Sequence, residues 1–333
     1  MKFNKVTGVV AGGVMALMAS VAPSQALDEL VVAYFLEWPT PNQFAQANEL
    51  YAKELGIPVK WVSFDAGTAM SAAMASGDVH ISFSQGVTPF LVATAAGQDL
   101  QVVDIAVSYS DNDNCVVRSE LEITKDNVAE LKGKKVAVPL GTAAHSGFLA
   151  QIAHFGLAES DLEIVDMSPS DSAAAFAQPN TDLAMACGWG GSLRAMKQHG
   201  NAIIEGAEKE AVVGKVFDVT SVPTAFAEEN ADVLTKFLAV TAKMNADYAA
   251  DSAPMMEAIG KAAGMDAEGT AAVIGTFVFP SVETQLSDEW LGGGVAEYLT
   301  NAAAKLEEGG KITALPDYSA VVNASYLEAA SKM

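Results

Sequence analysis

A chain of 333 residues with 41 acidic and 19 basic side chains carries a formal charge of −22. That balance argues against nucleic acid and anionic membrane surfaces as partners. It also removes long-range attraction for an anionic ligand, so an oxyanion must be held by local dipoles, whereas a zwitterion or a cation meets no such penalty.

The chain opens on a leader pattern. Lys2 and Lys5 precede a small apolar run, Val9 to Val21, and Ser24-Gln25-Ala26 fits the small-x-small cleavage rule. Residues 1–26 are expected to be a cleaved secretory signal peptide, with the mature protein exported from the cytoplasm. No later stretch offers the roughly 18 consecutive apolar residues of a spanning helix.

Strands and helices then alternate. Glu29 to Tyr34 reads as a strand, and Thr40 with Pro41 suits the N-cap and first position of a helix to Leu55. Val59–Phe64, Ile81–Phe83 and Val102–Ala106 read as strands, with helices at Gly67–Ser76 and Val87–Ala96. A polar link, Ser108 to Asn114, leads to a second block. Its strands are Cys115–Arg118, Lys135–Val138, Leu162–Asp166 and Asp182–Ala186, and its helices lie near Asn127–Leu131, Ser146–Phe155, Asp171–Gln178 and Ser192–Gln198. Phe217–Val222 is a return strand. Helices follow at Ala231–Ala250, Ala253–Ala263, Ala267–Thr276 and Leu291–Leu306, with a last one from Tyr318.

This rhythm predicts an α/β protein of two lobes, each a mainly parallel sheet flanked by helices, with a helical C-terminal tail. The lobes are expected at 27–112 plus 217–333 and at 113–216. Ligands of open α/β sheets bind beyond the carboxyl ends of strands. Glu37 and Trp38 follow the first strand, and Ser84, Gln85 and Gly86 the third. Thr142, Ala143, Ala144 and His145 follow Val138, Trp189 follows Ala186, and Asp218 lies on the return strand.

Thr142 to His145 stand where a strand turns into a helix, which aims unpaired N–H groups and the positive end of a helix dipole at one point. The stretch lacks the GxxxxGK[ST] pattern of a nucleotide phosphate site. Cys115 and Cys187 are the only cysteines, and an oxidising compartment permits a disulfide between them. No zinc-ligand spacing occurs, and neither a metal nor a cofactor is expected.

Four stretches together resemble the periplasmic substrate-binding proteins of ABC importers, and among them the taurine and alkanesulfonate binders, relatives of the nitrate and thiamine-precursor binders. They are FDAGTAMSAAMASGDVHIS from Phe64, KGKKVAVPLGTAAHSGFLAQ from Lys132, TDLAMACGWGGSLRAM from Thr181 and FDVTSVPTAFAEENADVLTKFL from Phe217. The resemblance implies that Thr142, Ala143, Ala144 and His145 grip a sulfonate, that Asp218 takes an ammonium, and that a membrane permease is the partner of a monomer. Two positions depart from the pattern. Cys187 stands where those binders have a tryptophan, which here comes two residues later as Trp189. Glu37-Trp38-Pro39 puts a carboxylate and an indole in the first cleft loop.

Three functions remain distinct at this point. One is capture of taurine or a near relative for import. A second is the same fold caging a quaternary ammonium or sulfonium osmolyte through Glu37, Trp38 and Trp189, by cation–π attraction beside an acid. The third is an enzyme, opposed by the lack of a base-adjacent nucleophile and by export.

Overall fold

Short strands, most of them buried along nearly their whole length, build two separate sheets in the computed structural model, which describes residues 1–2, 27–214 and 216–333. The expected leader lies, from residue 3 to residue 26, outside the described residues. The strands are β1 Leu30–Phe35, β2 Val59–Phe64, β3 Ile81–Gly86, β4 Leu100–Tyr109, β5 Asp113–Arg118, β6 Lys135–Val138, β7 Glu163–Asp166, β8 Leu183–Trp189, β9 Gly200–Asn201, β10 Val216–Pro223 and β11 Phe277–Val278. Sheet order is β11-β4-β10-β3-β1-β2 in the first and β7-β6-β8-β5-β9 in the second.

The parallel pattern holds for β2-β1-β3 and for β7-β6-β8. The remaining pairs are antiparallel: β10 against β3 and β4, β11 against β4, and β5 against β8 and β9. Both sheets are therefore mixed rather than mainly parallel. The cause is the chain path. β5 and β10 enter their sheets from the neighbouring lobe, so they run against strands that arrive through a local helix.

In the second sheet the strand period of two separates the cores. Cys115, Val117, Val136 and Val138 join Phe148 and Ile152 on one face. Val116 and Ala137 join Phe176, Leu193 and Met196 on the other. The first sheet is covered by the tail. Leu234, Phe237, Leu238, Thr241, Met244 and Asn245 of the helix Ala231–Ala250 are buried at the spacing of one helical face.

Several boundaries differ from the sequence reading. The helix expected over 40–55 is two, Asn42–Ala47 and Leu50–Leu55, broken at Glu49, whose backbone is left-handed with φ 55°. Asn48 Nδ2 returns to the Phe44 carbonyl and Lys53 Nζ donates to the Asn48 carbonyl, closing the break. β4 runs on to Tyr109 and β5 starts at Asp113, so the polar link shrinks to residues 110–112. The segment at Asn127 is a 3₁₀ turn, Val128–Leu131. No element was expected between Gln198 and Phe217, yet a helix spans Gly206–Val213.

Cys115 and Cys187 face each other in the β5–β8 register and are disulfide-bonded, as expected. Among the described residues, no helix is long and apolar enough to cross a membrane.

Candidate functional site

Where the two sheets meet, the carboxyl ends of their strands enclose a pocket holding about 340 Å³ of empty space, mouth included. Aromatic rings wall it: Phe35, Trp38, Tyr109 and Trp189. Two carboxylates, Asp113 and Asp218, and four residues at helix starts, Gly67, Gly86, Thr142 and Ala143, complete the lining with Pro89.

The helix starts supply the positive side. Gly67 opens the helix Gly67–Ser76, Gly86 caps Val87–Ala95, Thr142 caps Ala143–His154 and Trp189 caps Gly190–Met196. First-turn N–H groups have no acceptor within their own helix, and helix dipoles put partial positive charge beside them. The helix after β6 starts at Ala143, three residues before the expected Ser146, because the Thr142 side chain can cap it. Thr142 Oγ1 donates to the Pro139 carbonyl at 2.7 Å and accepts the His145 N–H at 3.3 Å.

Asp218 supplies the negative side. It is buried, its Oδ2 accepts the Ser84 hydroxyl at 2.9 Å, and its Oδ1 accepts the Tyr109 hydroxyl at 3.1 Å. Ser84 Oγ in turn accepts the Trp38 indole N–H at 2.9 Å, which fixes that ring against Tyr109 and Phe277. Ser84 holds a left-handed backbone with φ 62°, a conformation that costs a non-glycine residue stability and is stored at functional sites. Desolvation by burial raises the Asp218 carboxyl to about 8, against the opposing pull of the Ser84 and Tyr109 hydrogen bonds. An ammonium placed beside it would offset that penalty by its charge and favour the ionised form.

The structure brings Trp38, Gly86, Thr142, Ala143, Trp189 and Asp218 onto one cavity wall, with Ser84 bonded to Asp218 just behind. Others lie elsewhere. Gln85 is buried behind the wall, donating to the Gly67 carbonyl and to Ser71 and accepting from Ser221. Ala144 is buried away from the cavity. His145 turns toward its own loop: Nδ1 accepts the Gly141 N–H at 3.1 Å, and Nε2 lies 3.8 Å from Glu159 Oε1. Burial lowers its pKa, so its ring stays neutral.

Glu37 is exposed and lines the adjoining open cleft with Ser170, Ser192 and Asp65 rather than the inner cavity. It makes a contact between the lobes, accepting from Ser192 Oγ at 3.4 Å. Glu37, Trp38 and Trp189 therefore do not form one cage. Sequence reading missed Phe35, Gly67, Pro89, Tyr109 and Asp113. Phe35 ends β1, and the strand-end rule could have found it, while Tyr109 and Asp113 fall in or beside the stretch read as a crossover. Among the described residues, no three His, Cys, Asp or Glu side chains cluster as a metal site would.

The NMT1/THI5 like family matches residues 40–278 of the chain. The taurine-binding periplasmic protein of Escherichia coli (strain K12) is 28% identical over 323 residues, covering 94% of this chain and 97% of that protein. The alkanesulfonate-binding protein SsuA from Xanthomonas axonopodis pv. citri, solved bound to MOPS, superposes with a TM-score of 0.71 at 19% identity, covering 89% of this chain and 98% of that one. The desulfurization enzyme DSZB has the same fold, with a TM-score of 0.66 at 13% identity over 92% of this chain and 99% of that one. The fold thus hosts both binding proteins and an enzyme.

Proposed function

The chain belongs to the NMT1/THI5-like family, and from that premise we propose that it is the periplasmic binding component of an ABC importer, capturing taurine or a closely related small aminosulfonate. The observation that carries this reading is one small aromatic cavity with helix N-termini from both sheets and a buried carboxylate, Asp218, in its wall. The sulfonate sits at Thr142 and Ala143, where N–H donors and the dipole favour an anion. The ammonium sits at Asp218, and each charge gains charge-assisted hydrogen bonds. The aromatic walls shield both charges from water.

The relatives support the ligand class: the similar E. coli protein is named for taurine, and the similar Xanthomonas protein for alkanesulfonates. The lobes are 27–112 with 217–333 and 113–216, and they close about the two crossovers, one at residues 110–112 and the other leading into β10. Such hinge closure around a ligand is a common switching motion. The leader directs export, the protein acts as a monomer without a cofactor, and its macromolecular partner is the permease. No reaction is assigned, since the similar E. coli and Xanthomonas proteins are named as binding proteins.

Calorimetry of refolded, ligand-free mature protein against taurine, hypotaurine, isethionate, choline, glycine betaine and nitrate tests the proposal. Taurine should bind tightly and isethionate, which lacks the amine, far more weakly. Tight binding of choline or betaine with no response to taurine would overturn it.

A further inference from the structure

We propose that Asp113 is a second acceptor for the ligand's ammonium and that Lys209 is the residue that positions it. This deepens the zwitterion reading above and rests on it.

Asp113 opens β5 at the crossover between the lobes, and it lines the cavity that Asp218 also lines. Its side chain is 3% exposed and that of Lys209 only 1%. Lys209 comes from the helix Gly206–Val213, and its Nζ lies 2.7 Å from Asp113 Oδ1. The same ammonium donates to the carbonyls of Ser110 and Asp113. An ammonium has three donors, and all three are used on this one segment. Gly206 N–H adds a bond to Asp111 Oδ1 at 2.7 Å, so the helix start is tied to the same crossover.

Lys209 therefore holds Asp113 by a single carboxylate oxygen. Among the described residues the other oxygen, Oδ2, has no hydrogen-bond partner, on a residue that faces the cavity. The negative charge of Asp113 also reaches Asp218, where it helps to raise that carboxyl. A cation placed between the two acids would relieve their mutual repulsion, which a neutral or purely anionic ligand cannot do. The ion pair with Lys209 fixes the buried carboxylate in place and leaves one oxygen to offer.

A brace for the crossover would need the same ion pair, so the test must read the ligand's amine. Taurine and isethionate share the sulfonate and differ in the amine. Calorimetry of wild type and Asp113→Asn should show taurine affinity falling roughly tenfold to a hundredfold, with isethionate affinity unchanged or higher. Asp113→Asn alone leaves a buried lysine unpaired and can fail to fold. The double variant Asp113→Asn with Lys209→Met removes both charges together, a change that buried pairs often tolerate. It should fold with its preference for taurine over isethionate cut by roughly tenfold or more, Asp218 alone remaining for the amine. A folded double variant that keeps the wild-type preference overturns the assignment. A wild type that shows no preference for the amine overturns the zwitterion reading itself, and this inference with it.

Discussion

Ser84 donates its hydroxyl to Asp218 across 2.9 Å from a left-handed backbone, and the same oxygen receives the Trp38 indole N–H. One hydroxyl thus orients an aromatic wall and a buried acid together. Ser84 ends up on the network because β3 pairs antiparallel with β10, with Gly86 opposite Asp218. The cavity's negative side is therefore a product of the strand that returns from the second lobe.

Truncating that acid tests the ligand's charge. Asp218→Ala should cost roughly 2–5 kcal/mol of taurine binding, because an ammonium would be left buried and unpaired. Isethionate affinity should change little. Calorimetry of both ligands on the variant makes the comparison, and equal losses for the two would place the amine elsewhere.

Asp218 also makes stability depend on pH. Its folded carboxyl titrates near 8, above its ordinary 3.8, so the folded protein binds more protons between those values. Stability from this group is complete below about pH 4 and is lost as pH rises through 8, by on the order of 6 kcal/mol in full. Asp218→Asn removes the loss. In ligand-free thermal melts the variant's advantage over wild type should grow from pH 5 to pH 8, and a constant difference would contradict the burial argument. Taurine should restore the wild type at pH 8 by supplying a counter-charge.

Much of this site was legible along the chain, and what was hidden has a physical cause. Asp218, Trp38 and Thr142 stand at strand ends or on the return strand, and periodicity alone locates those. Tyr109 and Asp113 lie where the reading expected a polar link. Only the antiparallel register, with Val216 opposite Tyr109, carries β4 that far. Lys209 was invisible because a lysine in a short polar-patterned helix reads as solvated, and its burial depends on three acceptors distant in sequence. The His145 ring faces its own loop because of one bond to the Gly141 N–H, a choice of rotamer that no spacing rule encodes.

The Cys115–Cys187 disulfide closes a loop of sequence separation 72 within the second sheet. Chain-entropy reasoning assigns it roughly 4 kcal/mol. Replacing both cysteines by alanine should lower the urea midpoint accordingly while leaving taurine affinity nearly intact, since neither sulfur lines the cavity. Mass spectrometry of unreduced, denatured wild type should find no alkylatable thiol. Two free thiols would reject the pairing in the exported protein.

Gly190 reports on closure. Its φ is +56°, and a β-carbon there would lie 2.6 Å from the Glu37 backbone oxygen, in the other lobe. No side-chain rotation relieves contact with a backbone atom, so Gly190→Ala should hold the lobes apart. Taurine affinity should fall by about tenfold or more, since part of the binding surface would no longer meet the ligand. Small-angle scattering should show no ligand-induced compaction. Gly56 makes a matched control, because its φ is +71° but a β-carbon would meet nothing within 4 Å. Gly56→Ala bears only the backbone strain, about 1–2 kcal/mol of stability, and should bind and compact as the wild type does. Equal behaviour of the two variants would mean that the Gly190–Glu37 contact plays no part in closing the cleft.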